Sequence, residues 1–481
     1  MELARLLRSV LLAGGTFTII ALLAFAVQSV AAQTQEPQKA SEEVQQLKDR
    51  LKQLEQTVQE LKSQLSEIEQ PHIAPAVARP TPPVTPPATE PPPANSNNSN
   101  KGQDKGTENS FQVYGFAMLD MGYEFKQIHP DWFDTLRITK LPSFKDEFAP
   151  DGKTYFGVRQ SRLGVKSTTA TPLGELKTTF EFELFGSGVD AGQTTFRLRH
   201  AYGELGHFGA GQYWTVFGDT DAYPNSLEYW GPNGLVWFRN IQLRWMPLKG
   251  NNSVTLALER PGASGDQGVF ADRIELQGIR PKFDLPDLTG NVRFTRDWGH
   301  VQLAGIVRRI RWVDITNDQF DFSGSAVGWG VSVSSAPKFG KNDVGRFQVT
   351  YGEGIENYMN DAPVDIGIKR LNPLDPTRPI KGVALPVFGL STFLDHTWSK
   401  RFSSALGYSM INIENSDGQA ANAYHRGHYA LGNLLFYPYD NVMVGGEFQY
   451  GRRENFSDGF AANDYRIQFS FKYNFAKAFS F

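Results

Sequence analysis

The stretch that most constrains the fold of this chain is its C-terminal run from Asp464 to Phe481. Every second residue from Ile467 to Phe475 is apolar or aromatic, and Phe479 continues that set, whereas the residues between are mostly polar or small. A period of two is that of a β-strand. One long aromatic face that ends in an aromatic C-terminus is typical of a lipid-facing strand closing a transmembrane barrel. The alternative, for this stretch alone, is the last strand of a soluble β-sandwich.

The composition excludes several other classes of protein. A mean hydropathy of −0.38 excludes a membrane protein built from many helices, whereas a barrel keeps its lumen-facing residues polar. The 481 residues include no cysteine, which excludes disulfides, a thiol nucleophile and cysteine-bound metal. The net charge of −3 is small, so any charge selectivity must come from the local placement of charged residues.

Residues 1–32 have the features of an export signal. Arg5 and Arg8 supply a positive start, an apolar core follows, and small residues precede Gln33. The alternative is an uncleaved membrane anchor, because the apolar core is long.

Residues 41–70 are predicted to form a helix with a heptad seam, which is typical of an oligomeric coiled coil. A single amphipathic helix lying on the barrel is the alternative, but the apolar stripe is too narrow for it. Residues 71–110, rich in Pro and then in Asn and Ser, are predicted to be a linker. The coiled-coil core positions are Val44, Leu47, Leu51, Leu54, Val58, Leu61, Leu65 and Ile68.

From Phe111 onward the pattern changes to β-strands in which short turns, such as 171–174, alternate with long connections, such as 261–286. This alternation is the layout of outer-membrane barrels, and a soluble sandwich gives no reason for it. We therefore predict an all-β transmembrane barrel of about 16 antiparallel strands over residues 111–481, in a bacterial outer membrane, preceded by a periplasmic α-helical coiled coil and a Pro-rich linker. The predicted strands are 111–124, 155–167, 175–186, 194–205, 207–217, 237–248, 253–260, 287–296, 300–312, 326–335, 345–353, 383–399, 402–413, 424–437, 442–453 and 464–481.

Several segments resemble a known family. The Arg-Leu-Gly stretch within 159–166 is similar to an early strand of trimeric Gram-negative porins, and the whole order of segments resembles the DcaP-like porins. The resemblance implies a homotrimer in outer-membrane lipid, each barrel with its own pore for small anionic and dicarboxylic solutes. The segments that carry it are GELKTTFEFELFG at 174–186, FRLRHAYGELG at 196–206, GQYWTVFGD at 211–219 and GPNG at 231–234.

The apolar residues of each strand fix its outer face, so the alternate residues point into the lumen. Acidic residues that point into the lumen by this rule are expected to be few, mainly Glu259 and Glu447. The directions of Arg159, Arg309 and Arg311 stay open. The predicted pore-lining basic residues are Arg162, Lys166, Arg197, Arg199, Arg244, Arg293, Arg308, Arg346, Arg466 and Lys472.

Such a set of basic residues would raise the local concentration of anions, and pairs of guanidinium groups could bind each carboxylate of a dicarboxylate. The alternative is that these arginines only neutralise lumen carboxylates and keep the wall hydrated.

The segment 218–236 lies where trimeric porins carry the loop that narrows the pore. Its acids would face the basic wall across the pore, and its aromatic residues would pack it down; the alternative is an ordinary surface loop. The predicted constriction residues are Asp219, Asp221, Tyr223, Glu228 and Trp230.

The sequence does not favour catalysis. Its eight histidines form no metal-binding pattern, and a hydrolase based on Ser161 or Ser403 would lack a nucleophile elbow. We expect no enzyme activity, no cofactor, no metal and no nucleic-acid partner. The favoured hypothesis is a passive channel that prefers small anions. The alternative is a structural barrel that tethers the envelope, with the coiled coil contacting the cell wall or a periplasmic partner.

Overall fold

The structure, a computed structural model, describes residues 109–371 and 378–480. The predicted export signal, the coiled coil with its eight core positions, and the linker up to residue 108 lie outside the described residues, as does Phe481.

Sixteen strands form one antiparallel sheet, and two of them, β2 and β8, consist of two pieces each. A two-residue segment, Lys338–Phe339, adds a short pairing to β11, and a separate hairpin joins Ile366–Arg370 to Ile380–Ala384. The strands are β1 Ser110–Glu124, β2 Lys153–Gly157 with Arg162–Thr171, β3 Gly174–Phe185, β4 Thr194–Leu205, β5 Phe208–Trp214, β6 Arg239–Leu248, β7 Asn252–Glu259, β8 Ile279–Pro281 with Asp287–Arg296, β9 Gly299–Asp314, β10 Gly324–Ser335, β11 Asp343–Glu353, β12 Pro386–Ser399, β13 Phe402–Ile413, β14 Tyr424–Tyr439, β15 Val442–Asn455 and β16 Ala461–Ser480.

The sheet closes on itself. Each strand pairs with the next along the chain, and β1 pairs with β16 over its whole length, from Ser110 opposite Ser480 to Glu124 opposite Arg466. Closure gives every spanning strand two hydrogen-bonded neighbours, as a lipid environment requires. The predicted barrel of sixteen antiparallel strands is therefore confirmed. The hairpin within the connection 354–385 was not predicted.

The two faces of β16 separate as its alternation predicts. Arg466 and Gln468 are buried inside the barrel, whereas Phe469 and Phe471 are exposed on its outer surface. Among residues 109–371 and 378–480, no helix is long and apolar enough to cross a membrane. The described loops carry short 3-10 turns at Pro130–Trp132, Ile138–Lys140, Gly188–Asp190, Thr220–Ala222, Gly268–Phe270, Ile274–Leu276 and Glu356–Tyr358.

The long connections fold into the barrel and build a hydrophobic core there. The first loop (residues 125–152) and the sixth loop (residues 354–385) both contribute buried apolar side chains to it. Inward-facing residues of the wall complete it, so part of the lumen is filled by protein. Its members include Ile128, Trp132, Leu136, Ile138 and Leu141 from the first loop, Ile355, Tyr358, Met359 and Leu385 from the sixth, and Val387, Phe393, Ala405, Ile411, Ile413, Tyr429 and Leu431 from the wall.

The connection 215–238, between β5 and β6, crosses the lumen, and we name it the crossing loop. Its tip is fixed to the far wall, where the Glu447 carboxylate of β15 accepts the backbone N–H groups of Leu227 at 2.7 Å and Glu228 at 3.0 Å. On β12 a Cβ at Gly389 would lie 2.2 Å from the Gly234 carbonyl oxygen, so the wall needs glycine there. The loop thus divides the bore of the barrel.

We predict that Ile411→Ala lowers the free energy of unfolding by about 2–5 kcal/mol, because it opens a cavity in this core. Ile411 is 0% exposed. The measurement is denaturant unfolding of the protein in detergent micelles, followed by tryptophan fluorescence. The matched control is Leu406→Ala on the outer face of the same strand, where the side chain is 68% exposed and detergent replaces the lost contacts. Equal losses in the two variants would contradict the existence of a packed inner core at Ile411.

Candidate functional site

A cluster of arginines surrounds one buried carboxylate on the inner wall. Glu183 of β3 lies 2.5 Å from Arg199 and 3.7 Å from Arg162, and it also pairs closely with Arg197. Arg239, at the start of β6, approaches it to 3.4 Å. Four guanidinium groups from three strands, β2, β4 and β6, therefore share this carboxylate.

A second carboxylate, Glu181, lies two residues earlier on the same face. It accepts a hydrogen bond from Arg199 Nε at 2.6 Å and one from the Tyr114 hydroxyl at 2.9 Å, and Arg162 is 3.6 Å away. We call the four arginines with Glu181 and Glu183 the arginine cluster. Its formal charge is +2, because four guanidinium groups face two carboxylates.

Three of the four arginines of the arginine cluster, Arg162, Arg197 and Arg239, are more exposed than its carboxylates, whereas Arg199 is buried. The Arg162 and Arg197 side chains are 24% and 21% exposed, whereas that of Glu183 is 0% exposed. Arg162 Nε and Arg239 Nη1 are buried and have no hydrogen-bond acceptor among the described residues. The exposed parts of Arg162 and Arg197 therefore give this wall a cationic surface.

The strand alternation explains how the arginine cluster forms. In β3, Phe180 and Phe182 are exposed on the outer face, so Glu181 and Glu183 point inward beside the arginines of β4. Neither glutamate is among the predicted pore-lining residues, although the same alternation indicates their direction. Arg239 is also absent from that set, because it is adjacent to the inward-facing Asn240 and lies at the junction with the crossing loop.

The other predicted pore-lining residues are distributed around the same inner face. Arg244 donates to Gln242 and to the Trp214 carbonyl oxygen. Lys166 lies 4.6 Å from the Tyr114 ring. The remaining contacts are Arg293 with Asp219 and Asp221, Arg308 with Asp287 and Asp365, Arg346 with Asp395, Arg466 with Glu124, and Lys472 with the Phe116 ring. Their role as pore-lining residues stays a prediction.

The expectation that few acids share the barrel interior is wrong. Glu259 and Glu447 are buried as expected, but they are a minority, and most of the inward-facing arginines have a carboxylate within ion-pair distance. Charges inside a barrel need partners where water is scarce, so acids accompany the bases. The additional buried acids of the wall are Asp120, Glu124, Glu181, Glu183, Asp287 and Asp464.

The acids of the crossing loop do not face the basic wall across open water. Asp219 is buried and accepts a hydrogen bond from the Ser334 hydroxyl at 2.6 Å, while Arg293 bonds both Asp219 and Asp221 directly. Glu228 is buried and accepts the backbone N–H of Leu136 at 2.9 Å. The expected transverse field between separated charges is therefore replaced by direct ion pairs and hydrogen bonds.

The aromatic residues of the crossing loop pack it against its surroundings. Tyr223 stacks on Trp237 with ring centroids 4.4 Å apart, and Trp230 packs edge to face with Trp132 with centroids 4.7 Å apart. The Tyr229 hydroxyl donates to Glu183 at 2.5 Å, which joins the loop to the arginine cluster.

The three arginines whose directions the sequence left open have definite positions. Arg159 is buried beside the interruption of β2 and pairs with Asp134 of the first loop. Arg309 and Arg311 lie on the outer face of β9 and pair with Asp284.

One group of described residues has the spacing of a cation site, namely Asp219, Asp221 and His300. Both carboxylates already contact the Arg293 guanidinium, and His300 Nε2 lies 2.7 Å from Asp219. This chemistry is that of an ion-pair network, and the group does not fit a metal. Of the two serines considered for hydrolysis, Ser161 bonds the backbone of Met118 and Ser403 lies 3.2 Å from the Tyr437 hydroxyl.

Comparison with known proteins gives one family and several structural matches. The family model described as DcaP outer membrane protein matches residues 154–475. The crystal structure of the outer membrane channel DcaP of Acinetobacter baumannii is similar with a TM-score of 0.64 and 20% identity, covering 78% of this chain and 99% of that one. The anion-selective porin from Comamonas acidovorans gives a TM-score of 0.49 and 12% identity, covering 76% of this chain and 100% of that one. At these identities the first match supports the fold alone, and the second is too distant to support an argument. No curated protein sequence matches the chain.

We predict that Glu228 makes the stability of the protein depend on pH. Burial raises the pKa of Glu228 from 4.5 to about 7, against the opposing effect of Arg466. Because the folded chain then holds more protons than the unfolded one, its stability falls as the pH rises from about 4.5 to 7, by about 3 kcal/mol. Denaturant midpoints in micelles at pH 5 and pH 7.5 measure this change.

Glu228→Gln removes the titrating group, so the difference between the two midpoints should shrink. Glu175→Gln, at the exposed start of β3, is the control and should leave the difference as in the wild type. A Glu228→Gln variant with an unchanged difference would show that another group is responsible.

Proposed function

Because the chain belongs to the DcaP outer membrane protein family, we propose that its outer-membrane barrel is a passive channel that prefers small anions such as dicarboxylates. One observation carries the anion preference. The arginine cluster holds four guanidinium groups against two carboxylates, and three of the arginines, Arg162, Arg197 and Arg239, are more exposed than either carboxylate.

An excess of positive charge on a narrow aqueous wall attracts anions and repels cations. Two unit charges acting at about 10 Å in water change the energy of a small ion by about 0.8 kcal/mol, or roughly four-fold in its local concentration. Arg162, Arg197 and Arg239 lie close enough together to approach one carboxylate, Glu183. A dianion that passes the wall can engage these groups with either end, because arginine pairs with carboxylates through two parallel hydrogen bonds.

The crossing loop supports a restricted pore. It runs from one wall to Glu447 on the opposite wall, and its Tyr229 hydroxyl reaches the arginine cluster. A solute that passes between the crossing loop and this wall therefore passes close to the arginine cluster. A passage narrowed by the loop in this way admits only small solutes.

Three chains form the functional unit in this proposal, as the family resemblance implies. Residues 41–70 of each chain would join one parallel coiled coil in the periplasm, and attachment to assembled barrels would raise the effective concentration of the helices. Three equal conductance steps for each insertion into a planar bilayer would support the trimer.

The second candidate function is an envelope tether. The heptad seam of residues 41–70 and the linker that follows could reach a partner at the cell wall, with the barrel as an anchor. A barrel that serves only as an anchor does not need the net positive charge of the arginine cluster, so this charge favours the channel.

We predict that replacing Arg197 and Arg199 together by Gln lowers the anion preference. The charge of the arginine cluster falls from +2 to 0, so the ratio of anion to cation permeability should fall roughly four-fold or more. The measurement is the reversal potential across a planar bilayer under a salt gradient, together with block of the current by a dicarboxylate.

Arg426→Gln with Arg452→Gln is the matched control. These arginines lie on the outer face near Glu454, and replacing them removes the same amount of positive charge. The control should keep the wild-type reversal potential. A double variant at Arg197 and Arg199 that keeps the wild-type ratio would refute the role of the arginine cluster in selectivity.

We also predict that deleting residues 33–108 separates the two functions. Strand β1 begins at Ser110, so the barrel keeps every described strand. A channel should retain its conductance per barrel in planar bilayers. Loss of conductance from a correctly folded barrel would favour a role for the N-terminal segment in the pore, and envelope defects with intact conductance would favour the tether.

A further inference from the structure

A group of basic residues lies on the outside of the barrel, on the face that otherwise contacts lipid. Arg309 and Arg311 follow the exposed Leu303 and Val307 along the outer face of β9, and their side chains are 44% and 34% exposed. Arg280 belongs to the neighbouring first piece of β8 and Lys282 directly follows it. The Lys282 backbone N–H donates to the Arg311 carbonyl oxygen at 2.8 Å. We call these four residues the outer basic patch.

The outer basic patch carries an excess of positive charge. Among the described residues, Asp284 is the carboxylate that pairs with it, 2.8 Å from Arg311 and 3.8 Å from Arg309. Arg280 donates to the Gln277 and Ile279 carbonyl oxygens, which carry no formal charge. Four cationic groups against one carboxylate leave a charge of +3.

The aromatic residues of the same face indicate the depth of the outer basic patch in the membrane. Val307 pairs directly with the exposed Trp329, which contacts Tyr351 edge to face with ring centroids 5.9 Å apart. Exposed Trp298 lies at the short-turn end of the same strand. Such aromatic residues mark the two membrane interfaces of a barrel.

Arg309 and Arg311 lie two and four residues beyond the level of Trp329, towards the long loops. At about 3.4 Å per residue and a strand tilt of about 40°, they stand roughly 5 and 10 Å outside the aromatic level. This is the depth of lipid headgroups. In outer-membrane barrels the long loops face outwards, so the headgroups are those of the outer leaflet.

Uncompensated guanidinium groups at the edge of the hydrocarbon are unfavourable, and phosphate groups suit them because arginine binds phosphate through two parallel hydrogen bonds. We propose that the outer basic patch binds the phosphate groups of a phosphorylated glycolipid in the outer leaflet. Phe283, Leu285 and Val327 are exposed beside the patch and supply an apolar surface for its acyl chains. This inference needs the outer-membrane barrel but not the anion preference, so the two can fail separately.

The experiment measures lipid binding by the full chain in detergent micelles. The probes are a bisphosphorylated glycolipid, the same lipid without its phosphates, and inorganic phosphate alone. Native mass spectrometry gives the bound fraction, and the thermal unfolding midpoint gives the stabilisation by lipid. We expect the wild type to prefer the phosphorylated lipid, and Arg309→Gln with Arg311→Gln to bind it at least about ten-fold more weakly.

Lys338→Gln with Lys341→Gln is the matched control, because both lysines are exposed at the short-turn end and lie at the other leaflet. Its lipid affinity should equal that of the wild type. Should the double arginine variant not fold, Lys282→Gln at the edge of the patch tests the same site, with an expected loss of about three-fold.

Several results would overturn the proposal. Equal affinity of the wild type and the patch variants for the phosphorylated lipid is one of them, and equal affinity of the wild type for the dephosphorylated lipid is another. Stabilisation by inorganic phosphate alone that matches the lipid would assign the patch to a small dissolved anion. A change of oligomeric state in the patch variants would assign it to a contact between subunits.

Discussion

The pairing of the first strand with the last is the interaction on which the rest of this structure depends. Fifteen residue pairs join β1 to β16, and they remove the only two edges that the sheet would otherwise expose. In lipid an unpaired backbone N–H or carbonyl group costs several kcal/mol, so an open sheet would not be stable there. Closure also creates an inside and an outside. Once these exist, the alternation of each strand assigns every side chain to one of two very different environments.

Part of the inside of this barrel is packed like a protein interior. The first, crossing and sixth loops enter it and pack against apolar residues of the wall, while charged residues of the loops and wall pair with one another. Such pairs offset the cost of removing charge from water, but they add little net stability. Arg308, for example, is buried between Asp287 and Asp365 and links the barrel wall to the sixth loop. The arginine cluster differs, because its positive groups outnumber its carboxylates and two of them, Arg162 and Arg197, are partly exposed.

The number, order and approximate bounds of the strands were predictable from alternation and turn spacing, because lipid on one side and protein or water on the other enforce a period of two. The direction of Arg162, Arg197 or Arg466 followed from the same rule. The partners of these residues did not follow, since Glu183 meets arginines from three other segments that are distant in sequence. The direction of Arg309 and Arg311 was ambiguous because the apolar Ile306 and Ile310 of the same strand point into the core built by the loops. Alternation alone cannot distinguish an apolar residue that faces lipid from one that faces a packed loop.

The sequence by itself determined that this chain forms a membrane barrel of about sixteen strands, because each strand carries its own evidence in its two faces. The sequence also indicated which segment lies in the lumen, because that segment follows the fifth strand. It did not indicate the contacts that the segment makes there. The tertiary structure decided what that segment does there. It brings the tip of the crossing loop to Glu447, holds Asp219 against Arg293 and Ser334, and gathers four arginines around Glu183. These outcomes depend on which residues meet across the barrel, and such contacts have no period in the sequence.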